Sequence, residues 1–194
     1  MRIAIDLDGV VFNSEMFFMA SGEIYDAMVL DKNSIIKADE PRVQNKYSWN
    51  EKELQGYIDR YANSLDFDVM PCAKIVIDAL KENNETYVIS ARGQFNEDEI
   101  TIAKKKLEEA NISFDHYYFG YLNKKQIVKD CKINIMIDDR YDVCQDLSKE
   151  GVFCLYFRMA GRKVIEENEN VKEVHNWGEV YRILKNKGII GEKQ

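Results

Sequence analysis

The residues of this chain best suited to chemistry are two aspartates near its start. Asp6 and Asp8 follow a short apolar run, Ile3-Ala4-Ile5, and lie just before Gly9. Such a run predicts a strand buried on both faces, and an unpaired charge at its end would carry a large desolvation penalty. A hard cation with oxygen ligands, or a Lys or Arg partner, usually compensates such charges. The two aspartates therefore predict a charged site whose other parts lie elsewhere in the chain.

Three later segments carry side chains suited to the same site. They are Ser90-Ala91-Arg92, Lys124-Lys125 and Asp138-Asp139. The serine and the aspartates end apolar runs, and the lysines open a helical pattern. In an open parallel sheet, ligands bind outside the carboxyl ends of the strands. We therefore expect carboxylates, a hydroxyl and an ammonium at one sheet edge, which is the set that phosphoryl transfer requires.

The elements that must position these residues follow from the periodicity of the chain. From residue 73 onward, short apolar runs alternate with helical patterns, as in parallel βαβ units. The predicted strands cover residues 2–6, 86–90, about 116–119, 133–138 and 152–157. A final helix is marked by Trp177 and Leu184. The pattern predicts an α/β fold with a doubly wound, Rossmann-like parallel sheet.

Residues 13–71 interrupt this alternation. The segment is too long for a simple crossover, and its apolar and aromatic residues recur at helical spacing. We interpret it as a small helical cap inserted after the first strand. The predicted domains are an α/β core of residues 1–12 and 72–194, and a cap of residues 13–71.

Charge and composition limit the partners. The net charge of −7 disfavours nonspecific binding to nucleic acid or to an anionic membrane. A small anionic substrate stays possible because a local cation can reverse the field inside a cleft. The four cysteines lack metal-type spacing and have mostly apolar neighbours, as in a reduced protein. Neither a secretory signal nor a membrane-spanning run is evident. We expect a cytoplasmic monomer or homodimer that acts on a small phosphorylated substrate.

The four motifs, taken in order, resemble those of the haloacid dehalogenase superfamily of phosphatases. The motifs are the D-x-D-G-V of residues 6–10, Ser90, the Lys124/Lys125 pair and the D-D-R-x-D of residues 138–142. The likeness extends from residue 2 to about residue 157. The predicted cap also resembles the family's cap of the first type. D-x-D alone is a weak signal, and the specificity comes from the four motifs together.

The resemblance implies a role for each matched residue. Asp6 would attack phosphorus, and Asp8 would protonate the leaving alcohol and then activate water. Ser90 and Ala91 would bind the transferring phosphoryl group. The lysine would neutralise that group and pair with Asp6. We prefer Lys124 because its spacing to the Ile-Asp-Asp strand fits the family better, and Lys125 is the alternative.

A Mg²⁺ ion is the cofactor that the resemblance implies. Its ligands would be Asp6, the backbone carbonyl of Asp8, Asp138 and Asp139, with the direct ligand of the last pair left open. In this family an aspartate at the position of Asp8 accompanies phosphatases and phosphotransferases, whereas dehalogenating members lack it. The expected substrate is therefore a phosphate ester.

The substrate prediction rests on a narrower resemblance. Within the superfamily, the chain looks most like the 5'-nucleotidase group that includes the 5'(3')-deoxyribonucleotidases, which implies a nucleoside monophosphate. Arg92 departs from the pattern of that group and would either contact the phosphate or an additional anionic group, or form a local salt bridge. The alternative substrate is a sugar phosphate or another small phosphorylated metabolite.

Two other classes of protein have part of the same set of site residues. A signalling receiver also has an acidic cluster, a hydroxyl and a lysine, but its lysine follows the last strand. Here the lysine pair precedes Asp138 and a long insertion follows the first strand, so the receiver is disfavoured. A catalytically silent phosphate-binding protein is disfavoured because every expected catalytic side chain is present.

Overall fold

A single parallel sheet forms the centre of the molecule. The computed structural model describes residues 1–38, 40, 42–62, 67–159, 162–165 and 167–191. In these ranges the strands, β1 to β6 in chain order, are Arg2–Ile5, Glu85–Ile89, His116–Tyr118, Ile135–Asp138, Phe153–Phe157 and Val171–Val174. Their order across the sheet is β3-β2-β1-β4-β5-β6, and every neighbouring pair is parallel. The predicted α/β, doubly wound fold is confirmed.

The five predicted strands correspond to β1 to β5, with ends that differ by at most two residues. Strand β6 has no predicted counterpart, because its short sequence includes the polar residues Lys172 and Glu173 and pairs only with β5 at the sheet edge. Strand β4 begins at Ile135 rather than at residue 133. The Ile133 N–H instead donates to the Val128 carbonyl at 3.0 Å, so that residue belongs to the turn before the strand.

Helices cover both faces of the sheet and build the segment after β1. In chain order α1 to α8 are Ser14–Ile24, Val43–Lys46, Glu51–Tyr57, Ala73–Lys81, Asp98–Glu109, Lys125–Asp130, Tyr141–Ser148 and Trp177–Asn186. Helices α1 and α3 each continue as a π-helical segment, Tyr25–Val29 and Ile58–Ala62. Helix α3 begins at a capping box in which Asn50 and Glu53 each accept from the other's backbone N–H.

Successive side chains of β1 point to opposite faces of the sheet and therefore pack in two different cores. Ile3 and Ile5 pack with apolar residues of α4, α5 and α8, whereas Ala4 packs with residues of α6 and α7. All three are fully buried. The central strand is therefore apolar on both faces, as its sequence predicts. Its position is fixed further by the Trp177 indole N–H of α8, which donates to the Val10 carbonyl at 2.9 Å.

The segment predicted to be a cap contains α1, α2 and α3. Two linkers that run side by side join it to the sheet. The Asn13 N–H donates to the Asp68 carbonyl, and the Met70 N–H donates to the Val11 carbonyl, both at 2.8 Å. Within the described ranges, none of the helices has the length and apolar character needed to cross a membrane.

The cap has an internal cluster of its own. The rings of Tyr47 and Trp49 stack with their centroids 4.3 Å apart, and Tyr57 packs against the Trp49 ring. The buried Asp26 carboxylate accepts from the Trp49 indole N–H at 2.7 Å and from the Ser34 N–H at 2.9 Å. Aromatic packing and these hydrogen bonds hold the helices of the cap together.

Candidate active site

The predicted site residues converge at the carboxyl end of β1. This strand lies between β2 and β4, where the order of the sheet changes direction. Asp6 follows β1, Ser90 follows β2, and Asp138 is the last residue of β4. Such a switch point leaves a crevice at the strand ends, which is where ligands bind in open α/β sheets.

A buried lysine joins two of the strand ends. The Lys124 Nζ lies 2.9 Å from Asp6 Oδ2 and 2.6 Å from Asp138 Oδ2. Only 2% of its side chain is exposed. The neighbouring Lys125 is 54% exposed and pairs with Glu150 at 2.7 Å, on the surface. The structure therefore brings Lys124, and not Lys125, to the aspartates.

The carboxylates are electrostatically crowded. Burial raises the pKa of Asp6 to about 6, against the opposing effect of Lys124. Burial also raises the pKa of Asp139 well above its ordinary value, and Asp138 and Asp6 add to that shift. For Lys124, burial disfavours the charged form, but Asp138 and Asp6 together outweigh it and raise the pKa. The negative charge of the buried aspartates exceeds the positive charge that Lys124 supplies.

Three of these carboxylates could hold a metal ion. Oxygens of Asp6, Asp138 and Asp139 lie within 4.8 Å of one another, and all three residues are buried. Clustered carboxylate oxygens are the ligands that Mg²⁺ prefers, and a divalent cation would offset the repulsion between the three carboxylates. The residues present therefore fit a hard divalent cation.

The two aspartates at the end of β4 are held differently. Both oxygens of Asp138 accept hydrogen bonds from within the core, from Lys124 Nζ and from the Arg140 N–H at 2.9 Å. The Oδ2 atom of Asp139 accepts from the Arg162 guanidinium at 2.7 Å. Asp138 is thus fixed by the core, whereas the partner of Asp139 comes from a loop after β5.

Gly9 allows the loop after β1 to approach Asp139. Its φ is +73°, and a Cβ built there would lie only 2.8 Å from Asp139 Oδ2. The same loop is tightened by the Leu7 carbonyl, which accepts from the N–H groups of Val11 at 2.9 Å and Phe12 at 2.8 Å. A glycine is needed here for both its backbone conformation and its lack of a side chain.

The second aspartate of the first motif has an arginine partner. The Arg92 guanidinium binds Asp8 in a bidentate ion pair, with Nε–Oδ2 and Nη2–Oδ1 distances of 2.7 Å. Ser90 is buried, and its Oγ accepts from the Arg92 N–H at 3.3 Å, so its own O–H can donate to a ligand. Ala91, between them, is partly exposed. Arg92 thus lies beside the predicted acid/base residue.

Sequence reasoning missed two charged residues of the site. The Arg162 guanidinium forms ion pairs with Asp139 and with the buried Glu15 at the start of α1. Arg162 lies in the segment after β5, so the rule that parallel strands deliver site residues at their carboxyl ends could have identified it. Glu15 carries no comparable signal, because one acidic residue in the first turn of a helix is common.

A cavity of about 540 Å³ opens between the cap and the strand ends. Asp8, Asp139 and Arg162 line one side of it. The cap contributes an apolar face consisting of Phe18, Val43, Leu54, Tyr57 and Ile58. A larger cavity of about 740 Å³, lined by Met1, Asn84 and Asn134 among others, is at the opposite edge of the sheet and contains none of the predicted site residues.

The fold is shared with solved structures of haloacid dehalogenase superfamily hydrolases. A hydrolase of this family from Xanthomonas campestris matches with a TM-score of 0.63 and 12% identity, over 99% of this chain and 96% of that chain. A haloacid dehalogenase-like hydrolase from Streptococcus pneumoniae matches with a TM-score of 0.61 and 15% identity, over 94% and 97%. CbbY from Rhodobacter sphaeroides, solved with xylulose-1,5-bisphosphate, matches with a TM-score of 0.57 and 10% identity, over 92% and 95%.

These likenesses concern the fold. They agree with the superfamily that the motifs resemble, and the structures named here do not show the 5'-nucleotidase group. No protein-family model matches this chain, and a comparison with curated proteins finds no match.

Proposed function

We propose that this chain is a Mg²⁺-dependent phosphomonoesterase that forms an aspartyl-phosphate on Asp6. The observation that carries the proposal is the buried set of Asp6, Lys124 and Asp138, joined by ion pairs of 2.9 and 2.6 Å at the end of β1. A nucleophilic carboxylate, a cation for the phosphoryl charge and an acidic metal cluster are the parts that this reaction needs. The shared fold supports the assignment.

Asp6 is the nucleophile in this proposal. Its Oδ1 accepts from the Leu7 N–H at 2.8 Å and its Oδ2 from Lys124, so the carboxylate has a fixed orientation. An Asp6 oxygen forms a bond to phosphorus while the bond from phosphorus to the alcohol oxygen breaks. The buried Ser90 hydroxyl donates to the transferring group, and Lys124 balances its charge.

Asp8 provides the proton and later removes one. Its side chain is 39% exposed and lines the cavity in which the leaving alcohol would lie. Its protonated form gives the proton to the departing alkoxide. The carboxylate that results, which is the form paired with Arg92 in this structure, then accepts a proton from the water that releases inorganic phosphate and restores Asp6.

The metal ligands proposed are Asp6, the Asp8 backbone carbonyl, Asp138 and Asp139. When bound, Mg²⁺ would neutralise phosphoryl oxygens and oppose the repulsion between these carboxylates. We assign Asp139 as the more direct ligand of the last pair, because Asp138 has both oxygens engaged by the core.

Two substrate classes compete. A sugar phosphate or similar small metabolite has support from CbbY, a fold neighbour solved with a sugar bisphosphate. A nucleoside monophosphate has support from the apolar cap face formed by Phe18, Leu54 and Tyr57, which could pack against a base. The fold neighbours favour the sugar phosphate, which we take as the leading class.

The decisive experiment is hydrolysis of p-nitrophenyl phosphate by the purified chain with Mg²⁺, with a chelator, and by Asp6→Asn. We expect activity only in the first case. Full activity of Asp6→Asn would overturn the nucleophile assignment. A panel of sugar phosphates and nucleoside monophosphates then separates the two classes by kcat/KM.

A further inference from the structure

We propose that Arg92 is the positioning residue of Asp8, and that it links the orientation of this carboxylate to the two cap linkers. The inference rests on the proposed function, since it assigns Asp8 the proton transfer. In this proposal Arg92 orients a catalytic side chain, whereas the sequence also allowed a contact with the substrate.

The first argument is the geometry of the ion pair. Both oxygens of Asp8 accept from Arg92, each at 2.7 Å. A bidentate pair fixes the plane of a carboxylate as well as its position, which a single donor does not do. Without it, a carboxylate that is 39% exposed would sample several rotamers in the cavity.

The second argument is what holds the guanidinium. Its carbon lies 4.8 Å from the ring centroid of Phe12 and 5.5 Å from that of Phe67. Phe12 is in the linker that leaves β1, and Phe67 is in the linker that returns toward α4. Both rings are buried. Arg92 therefore contacts both connections between core and cap. A movement of either linker would displace the guanidinium and, with it, the Asp8 carboxylate.

The third argument is evidence against a role of Arg92 as a substrate ligand. Arg92 is only 4% exposed, and the residues lining the cavity include Asp8 but not Arg92. A substrate in the cavity meets the aspartate, while the arginine lies behind it. A lysine could supply the charge but not the planar fork or the stacking on the rings.

The test uses two substrates that differ in leaving group. p-Nitrophenolate leaves readily without a proton, whereas phenolate depends more on protonation. If Arg92 acts through Asp8, Arg92→Met should lower kcat/KM for phenyl phosphate at least about tenfold more than for p-nitrophenyl phosphate, which is part of the roughly hundredfold or more that a general acid contributes. Asp8→Asn should show the same selectivity, and the double variant should be no worse than Asp8→Asn alone.

Arg140→Met is the matched control, because Arg140 lies at the same sheet edge and pairs with Asp142 instead. It should not change the substrate ratio. If Arg92→Met does not fold, the ratio is measured on Arg92→Lys, which we expect to show the same selective loss. Equal losses on both substrates, or additive effects in the double variant, would overturn the inference and leave the proposed function intact. If the wild-type chain has no phosphatase activity, both the inference and the proposed function are wrong.

Discussion

Arg162 of the loop after β5 and Asp139 at the end of β4 form an ion pair of 2.7 Å inside the candidate metal cluster. The same guanidinium also pairs with Glu15 of α1. One arginine thus joins the start of the cap to a proposed metal ligand. Burial lowers the pKa of Arg162, and the charge of Asp6 opposes that shift.

Removal of Arg162 should have opposite effects on apo stability and on metal binding. Arg162→Met leaves two buried carboxylates without their partner, so we expect the apo protein to lose about 3 kcal/mol of unfolding free energy. Mg²⁺ affinity should rise, because a positive charge next to a ligand has been removed. Urea unfolding with and without Mg²⁺ measures both effects. Arg158→Met, in the same loop but paired with Glu173, is the control. Weaker Mg²⁺ binding would contradict this account.

The two adjacent lysines should differ sharply. Lys124→Met leaves Asp6 and Asp138 buried without their shared cation, so we expect a loss of about 3–5 kcal/mol in stability and at least about a hundredfold in kcat. Lys125→Met removes an exposed pair with Glu150 and should cost less than about 1 kcal/mol. Denaturation midpoints and p-nitrophenyl phosphate kinetics measure the effects. An inactive Lys125→Met beside an active Lys124→Met would reverse the assignment.

Mg²⁺ should stabilise the wild-type fold through Asp139. Binding to the folded state alone adds about 2.7 kcal/mol when the free ion is at a hundred times its Kd. We expect Asp139→Asn to remove most of this stabilisation, whereas Asp142→Asn, at an exposed aspartate close by, should keep it. Thermal unfolding over a Mg²⁺ series is the measurement. Equal shifts in the two variants would exclude Asp139 as a ligand.

Cap stability should depend on pH through Asp26. Burial opposes its charge, but hydrogen bonds from Ser34 and Trp49 prevail and lower its pKa. The folded pKa is therefore below the unfolded value of about 3.9, so the stabilisation is present above pH 4 and is lost as pH falls through the folded pKa.

Asp26→Asn tests this dependence. We expect the variant to lose about 1.5–3 kcal/mol near neutral pH, and the difference from wild type to shrink below pH 4. Urea unfolding between pH 3 and pH 7, followed by tryptophan fluorescence, gives the comparison. A difference that stays constant over the whole range would show that the charge of Asp26 is not involved.

The sequence predicted the fold class because its signals are local. The apolar run ending at Asp6 and the similar run ending at Asp138 identify buried parallel strands, and the rule about carboxyl ends then brings their aspartates together. The edge strand Val171–Val174 was missed because it has only four residues and the two in the middle, Lys172 and Glu173, are polar. Spacing favoured Lys124 over Lys125 but left both possible, because it does not show which of two adjacent side chains at a helix start faces inward. In the structure Lys124 is buried against Asp6 and Lys125 is exposed.

The adjacency of the two linkers has an evolutionary consequence. The Asn13 N–H and the Asp68 carbonyl are hydrogen-bonded at 2.8 Å, so the chain leaves the core and returns to it at one point. An insertion with adjoining ends can be lengthened, shortened or replaced without rerouting the polypeptide, because loop closure depends only weakly on length. Under the proposed function, such an architecture allows the cap residues that face the substrate to change while the strand-end residues of the core keep their positions.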